Sequence, residues 1–212
     1  MVRAKRPTVL LADDHSMVAA GLAKLLEDEF NLVATVQDGR AAVAAAEEHR
    51  PDVVLLDITM PLMNGIEAAR RIRTQSPECK VIFLSMHSDR AFVEQAFAAG
   101  GSGYVLKRSA ASELPLAIHQ VLEGKTYITP LLSDFTPQDL IQTDRARPLL
   151  SARQREVLQL VAEGNSAKQV AAILKIAPKT VEFHKALIMK KLHLRTMADM
   201  IRYALQEGIS GK

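Results

Sequence analysis

The sequence is poor in cysteine and has no long hydrophobic run. Its 212 residues include a single cysteine, Cys79, which excludes an intramolecular disulfide framework and a cysteine-based zinc site. No stretch approaches the roughly 18 unbroken apolar residues that a membrane-spanning helix needs. The N-terminus is basic and then apolar, but its apolar run is short and ends at two acidic residues, which does not fit a signal peptide. We therefore expect a cytoplasmic protein without a membrane partner.

Acidic side chains are scarce at the C-terminal end of the chain. Residues 149–212 hold 11 lysines and arginines but only 5 aspartates and glutamates. Residues 1–124 hold 13 basic and 16 acidic side chains, and residues 125–148 hold 3 of each. An acidic first part and a basic end are typical of a regulator whose last domain binds nucleic acid.

Short apolar runs alternate with helix-like segments in the first half of the chain. The apolar runs are TVLLA (8–12), NLVATV (31–36), DVVLL (52–56), KVIFL (80–84) and SGYVL (102–106). The helix-like segments, which carry apolar residues three and four apart, are 16–27, 39–48, 65–74, 89–98 and 110–123. Five such strand–helix units predict an α/β fold, with a five-stranded parallel sheet and helices on both of its faces.

The second half of the chain has a different pattern. Residues 125–148 lose the alternation and hold three of the nine prolines, so we interpret them as a linker, with a short helix near 131–142. From residue 149 the pattern is wholly helical, which predicts a small all-α domain. Its four predicted helices are 151–164, 166–176, 178–192 and 196–208.

Polar side chains follow four of the predicted strands at one edge of the sheet. They are Asp13 and Asp14 after the first strand, Asp57 after the third, Ser85 after the fourth and Lys107 after the fifth. In open α/β sheets, ligands bind outside the carboxyl ends of the strands. Three converging carboxylates repel one another unless a hard cation such as Mg²⁺ lies between them. Together with the hydroxyl of Ser85 and the ammonium of Lys107, the carboxylates and the cation provide the groups needed for phosphoryl transfer to a carboxylate nucleophile.

Each of these residues has a simpler interpretation when it is taken alone. The two adjacent aspartates could form a helix-capping turn, Asp57 could be a loop acid, Ser85 could cap a helix, and Lys107 could be a surface lysine. Their positions at matching strand ends favour a shared function. A rival class, the aspartate-nucleophile phosphatases of the haloacid dehalogenase type, needs a second aspartate two residues after the nucleophile, where this chain has Thr59.

Residues 8–124 resemble the receiver domain of two-component response regulators, which has a flavodoxin-like fold. The stretches that carry the resemblance are ADD (12–14), LLDITMPLMNG (55–65), Ser85 and GYVLK (103–107). The resemblance implies that a sensor histidine kinase phosphorylates Asp57 in a Mg²⁺-dependent reaction. It implies that Mg²⁺ is bound by Asp14, Asp57 and the backbone carbonyl of Thr59, while Asp13 assists.

The same resemblance implies a switch. Ser85 and Tyr104 are expected to report the phosphorylated state, with the tyrosine ring turning inward as the serine hydroxyl moves to the phosphoryl group. His87, two residues beyond Ser85, lies near the expected site, where it could tune the phosphoryl lifetime or simply be a solvated loop histidine.

The basic end of the chain contains a helix-turn-helix signal. Ile176 and Ala177 separate its second and third predicted helices, and Pro178 suits the first position of the third. In such a unit the second helix of the motif enters the major groove with its N-terminal residues on base edges. Here that helix carries Lys179, Thr180, Glu182, Phe183 and Lys185 in its first turns, and then Lys190. A four-helix packing domain with a solvated basic face would show the same periodicity, so the pattern alone leaves both interpretations open.

Residues 149–208 resemble the LuxR-type DNA-binding domain of the NarL/FixJ family of response regulators. The stretches that carry the resemblance are LSARQREVLQLVAEGNSAKQVA (150–171) and TVEFHKALIMKKL (180–192). It implies base or phosphate contacts from the six side chains named above on the third helix, and a dimer surface on helix 196–207.

The two resemblances imply a phosphorylation-controlled transcriptional regulator rather than a metabolic enzyme. We expect a receiver domain at 1–124, a linker at 125–148 and a DNA-binding domain at 149–212. The expected partners are a sensor histidine kinase, paired half-sites in double-stranded DNA, and a second copy of the chain in an active homodimer. Two alternatives stay open: a receiver that acts as a phosphate sink with a tail for assembly, and a DNA-binding protein that works without phosphorylation. Salt-dependent, sequence-specific DNA binding would exclude the first of them.

Overall fold

The computed structural model describes residues 6–132 and 150–210 of the chain. The first of these ranges forms an α/β domain around one parallel sheet, in the strand order β2-β1-β3-β4-β5-β6. The strands are β1 (Thr8–Ala12), β2 (Asn31–Val36), β3 (Val53–Asp57), β4 (Lys80–Ser85), β5 (Gly103–Leu106) and β6 (Tyr127–Ile128). The helices are α1 (Ser16–Leu26), α2 (Gly39–His49), α3 (Gly65–Gln75), α4 (Arg90–Ala98) and α5 (Ala110–Leu122).

The central strands are buried on both faces, which explains their unbroken apolar runs. Alternate residues of β3 enter two separate cores: Val54 and Leu56 pack under α2, α3 and α4, while Val53 and Leu55 pack under α1 and α5. The α/β class and the five predicted strand–helix units are confirmed.

A sixth strand was not predicted. Tyr127 and Ile128 pair in parallel with β5, inside the segment that the sequence indicated as a linker. The hydroxyl groups of Tyr127 and Thr129 donate hydrogen bonds to the Glu113 carboxylate on α5, at 3.2 and 2.5 Å. These contacts hold a strand that is too short to produce a periodic signal. Most of the helix predicted near 131–142 lies outside the described residues, whose first range ends with the 3₁₀ turn Pro130–Leu132.

The second described range forms four helices: α6 (Ala152–Ala162), α7 (Ala167–Leu174), α8 (Pro178–Lys191) and α9 (Met197–Gln206). Ser151, Ser166 and Thr196 begin three of them with reciprocal capping boxes, which satisfy backbone N–H groups that a helix start leaves free. Apolar residues from all four helices form a third core. Within the described ranges, no helix combines the length and apolar character needed to cross a bilayer.

Candidate acidic site and exposed basic helix

Three carboxylates meet at the carboxyl edge of the sheet. Asp13 and Asp14 follow β1, and Asp57 is the last residue of β3. Oxygen atoms from these three residues and a nitrogen of His15 all lie within 4.8 Å of one another. Asp13 and Asp57 are buried, whereas the Asp14 side chain is 28% exposed. The convergence predicted from the sequence is therefore confirmed, and the site opens to solvent on the side of Asp14.

A single ammonium group joins the two buried carboxylates. The Nζ atom of Lys107 lies 2.8 Å from an oxygen of Asp57 and 2.8 Å from an oxygen of Asp13. The lysine follows β5, and its backbone N–H donates to the carbonyl of Ser85 at 2.8 Å, so two adjacent strand ends fix its position. Because a buried carboxylate without a partner is costly, Lys107 supplies the positive charge that both acids share.

The Asp57 carboxyl is less acidic than an ordinary aspartate. Burial raises its pKa to about 6, an effect that the positive charge of Lys107 opposes and the negative charge of Asp13 strengthens. Bound cations favour the ionised form of a carboxyl group. The oxygen donors of this edge are the kind that Mg²⁺ prefers, so the residues present fit a magnesium site.

The loop that follows Asp57 is tightly folded against the end of the strand. The backbone N–H of Thr59 donates to an Asp57 carboxylate oxygen at 3.2 Å, and the Asn64 side chain caps α3 by accepting from the Glu67 N–H at 2.9 Å. Gly65 approaches the strand so closely that a Cβ atom there would overlap the Asp57 carbonyl. The Asn-Gly pair of the sequence thus allows the loop to return to the sheet edge.

Ser85 and Tyr104 both contact the backbone of His87. The Ser85 hydroxyl accepts from the His87 N–H at 2.9 Å, and the Tyr104 hydroxyl donates to the His87 carbonyl at 2.8 Å. Both side chains are buried. Burial raises the pKa of Tyr104 to about 12, so the phenol stays protonated and remains a donor at neutral pH. The ring that was expected to turn inward with phosphorylation is already inside the protein.

His15 was not singled out from the sequence. Its Nδ1 atom lies 2.8 Å from Asp14, 3.3 Å from Asp13 and 3.9 Å from Asp57. The side chain is 63% exposed and stands at the open side of the site. Its position directly after the acidic pair was the signal that could have identified it.

The third helix of the C-terminal domain, α8, has one buried and one exposed face. Val181 and Ile188 are fully buried in the domain core. Of the side chains predicted to contact DNA, Lys179, Glu182, Phe183 and Lys190 are exposed, while Thr180 and Lys185 are partly buried. Phe183 is 61% exposed. The Glu182 carboxylate is paired with Lys185 at 3.0 Å.

Two family models match the chain in separate segments. Residues 9–119 match the response regulator receiver domain. Residues 148–204 match the family described as bacterial regulatory proteins, luxR family. The two matches together cover most of the α/β domain and the four-helix domain.

Relatives of known name are similar over nearly the whole chain. The oxygen regulatory protein NreC of Staphylococcus epidermidis is 36% identical over 215 residues, covering 95% of this chain and 98% of the relative. The RcsB response regulator of Salmonella typhimurium is 27% identical, with a TM-score of 0.64 and coverage of 96% and 98%. Another RcsB structure, with a TM-score of 0.57 and the same identity over 94% and 98% of the two chains, contains two dimers bound to two parallel DNAs.

Proposed function

The chain belongs to the response regulators that join a receiver domain to a LuxR-type DNA-binding domain, and we propose that a phosphoryl group on Asp57 controls its binding to promoter DNA. It is a phosphorylation-controlled transcriptional regulator and not a metabolic enzyme. The observation that carries the residue assignment is the contact between Lys107 and two buried aspartates, Asp13 and Asp57, at the sheet edge.

Asp57 is the proposed phosphoacceptor. One of its carboxylate oxygens attacks the phosphorus of a phosphohistidine on a sensor histidine kinase. The new P–O bond forms as the P–N bond breaks, and the imidazole nitrogen leaves with the electron pair. Lys107 lies 2.8 Å from Asp57 and neutralises negative charge that develops on the phosphoryl oxygens.

Mg²⁺ is the proposed cofactor. Asp14, Asp57 and the backbone carbonyl of Thr59 would hold it, and Asp13 would assist from its buried position. The bound ion would supply positive charge to the phosphoryl oxygens. The exposed side of the site at Asp14 leaves room for the phosphoryl donor to approach.

Ser85 and Tyr104 form the proposed switch. The Ser85 hydroxyl is held by the His87 N–H, and it would release this bond to reach a phosphoryl group on Asp57. Tyr104 is bonded to the carbonyl of the same residue, so both switch residues act on one segment of backbone.

Double-stranded DNA is the proposed target of α8. Lys179, Lys185 and Lys190 suit phosphates or base edges, and Thr180, Glu182 and Phe183 complete the proposed contact surface. The RcsB dimers bound to DNA support binding of paired half-sites by a homodimer of this chain. A protein that reads chromosomal DNA in a bacterium would work in the cytoplasm.

Intact mass spectrometry tests the assignment of Asp57. The native chain and the Asp57→Asn variant are incubated with acetyl phosphate and Mg²⁺. We expect one phosphoryl adduct on the native chain and none on the variant. An adduct on both proteins would show that a residue other than Asp57 accepts the phosphoryl group. The absence of an adduct on either protein would exclude control by phosphorylation of Asp57. Salt-dependent, sequence-specific binding to duplex DNA then distinguishes a transcriptional regulator from a phosphate sink.

A further inference from the structure

A glutamine of the DNA-binding domain touches the loop that follows the phosphoacceptor. Gln159 lies on α6 and is 2% exposed. Its Nε2 atom donates to the backbone carbonyl of Met60 at 2.8 Å, and its Oε1 atom accepts from the backbone N–H of Asn64 at 2.8 Å. One side-chain amide thus binds both ends of a five-residue stretch of the receiver.

This stretch is part of the acidic site. Met60 follows Thr59, whose carbonyl is a proposed ligand of Mg²⁺ and whose N–H is bonded to Asp57. Asn64 caps α3, so its backbone defines where the loop ends. A group that fixes the carbonyl of Met60 and the N–H of Asn64 therefore restricts how the Thr59 carbonyl can turn.

Further contacts hold α6 and the end of the chain against the same region. The Asn64 side chain donates to the carbonyl of Ile209 at 3.1 Å. Arg155 on α6 binds the Glu67 carboxylate with Nε at 2.8 Å and a second nitrogen at 2.7 Å. Glu67 is 4% exposed, and buried charge-assisted pairs of this kind fix geometry as well as adding attraction. The position of the Gln159 amide is thereby determined from both domains.

We propose that Gln159 is a positioning residue for the phosphorylation of Asp57: while the domains are docked, it holds the Met60–Asn64 backbone and slows phosphoryl transfer. Any adjustment of the Thr59 carbonyl and its neighbours on binding a cation or a phosphoryl group would strain two hydrogen bonds of a buried amide. Coupling between binding equilibria is reciprocal, so if docking opposes the binding of the cation and the phosphoryl group, these groups in turn weaken docking of the DNA-binding domain. The inference rests on the proposed role of Asp57 as acceptor.

Two substitutions of Gln159 test the inference in the full chain. Gln159→Leu removes both hydrogen bonds to the loop, and Gln159→Glu keeps the shape and the acceptor but cannot donate to Met60. Both variants also lose the hydrogen bond that Nε2 donates to Glu163, the residue after α6, at 2.8 Å. The initial rate of adduct formation with acetyl phosphate is followed by intact mass over a series of Mg²⁺ concentrations. We expect both variants to react about fivefold faster or more, and to reach half of their maximal rate at a lower Mg²⁺ concentration. Gln75→Leu, an exposed position at the end of α3, is the matched control and should leave both quantities unchanged.

A second measurement does not depend on the variants. Small-angle scattering of the native chain before and after phosphorylation reports whether the domains separate, and we expect the radius of gyration to increase. If the native chain forms the adduct, equal rates and equal Mg²⁺ midpoints in all proteins overturn the inference. An unchanged radius of gyration overturns it as well. Absence of the adduct on the native chain instead overturns the proposed function, so the two failures are distinguishable.

Discussion

The ring of His87 lies flat against the ring of Phe92, with centroids 4.1 Å apart and an interplanar angle of 4°. The backbone of the same histidine binds the hydroxyl groups of Ser85 and Tyr104. Phe92 in turn lies beside Gly208, the second residue after α9, where an added Cβ atom would overlap its ring. The proposed switch residues are therefore connected to the DNA-binding domain through two stacked rings.

Substitution of Gly208 should separate the domains. Its φ angle is 62°, and Gly208→Ala would push a methyl group into the Phe92 ring. Gly164→Ala is the matched control, because Gly164 also has a positive φ, of 88°, but has open space around its Cβ position. Both variants should lose about 1–2 kcal/mol of stability from backbone strain. Small-angle scattering should show a larger radius of gyration for Gly208→Ala alone; equal radii would contradict the contact with Phe92.

Asp57 should make the native chain less stable as pH rises. Its pKa is about 6 in the folded state against an ordinary value of 3.8, so between these values the folded chain binds more protons than the unfolded chain. The free energy of unfolding then falls through this pH window, by about 3 kcal/mol at most, and stays low above it.

The Asp57→Asn variant lacks this titration, and Lys107 keeps Asp13 as a partner. We expect the variant to be more stable than the native chain by about 1–3 kcal/mol at neutral pH, with a smaller difference near pH 4. Thermal unfolding of both proteins in EDTA, at neutral pH and near pH 4, measures this difference in stability. A stability difference that does not change with pH would refute the raised pKa.

Removing the Glu156 charge should loosen the docked domains. This carboxylate on α6 is 2% exposed, and it pairs with Arg153 of its own helix at 2.8 Å and with Arg71 of α3. Glu156→Gln removes the carboxylate that the two arginines share, and with it the charge attraction between α6 and Arg71 of the receiver. We expect faster hydrogen exchange in the loop 58–64, and the native chain should approach this behaviour as salt is raised to about 1 M, where the Debye length is about 3 Å.

The control for this experiment is Glu123→Gln. Glu123 forms an exposed pair with Lys125, of the kind that contributes little. Exchange in the loop should be unchanged in this variant. If Glu156→Gln behaved in the same way, the ion pairs between the domains would have no part in docking.

Two substitutions on α8 should have different effects on DNA binding. Lys190→Ala should weaken the salt dependence of binding. The slope of log affinity against log salt should become less negative by about 0.9, the value for one phosphate contact. Phe183→Ala should leave the slope unchanged, because it removes an apolar contact with a thymine methyl group and no charge. It should reduce the preference for the selected site by about 1–3 kcal/mol, the typical cost of one mismatched base pair. Fluorescence anisotropy on duplexes selected from a random pool measures both effects, with Lys125→Ala as the control. A change of slope in Phe183→Ala would contradict a base contact.

Much of the receiver fold followed from the sequence because parallel strands buried on both faces leave unbroken apolar runs. The carboxyl ends of such strands lie at one edge of the sheet. The positions of Asp13, Asp57 and Lys107 after their strands therefore predict that these three side chains lie close together. Strand β6 could not be found in this way. It has two residues, and it depends on Glu113, which lies on another element.

The contacts between the domains also had no sequence signal. Gln159 and Glu156 lie on α6 among apolar residues, and polar side chains of a helix are normally assigned to the solvated face. Both are buried here, because the receiver supplies their partners. Periodicity within one helix identifies the face that its own domain covers, but it contains nothing about a surface that another domain covers.

The exposed face of α8 has a consequence for the time course of a response. Phe183 and Lys190 remain exposed while the receiver is docked on α6, so docking does not shield them. The lysines of an unphosphorylated molecule can still be attracted to the sugar-phosphate backbone at any sequence, and proteins attracted in this way slide and hop along DNA. A resting population would then already be distributed over the chromosome when a stimulus arrives. The delay before a promoter responds would be set by the rates of phosphoryl transfer and of dimerisation. Diffusion of the protein from free solution to the DNA would not limit it.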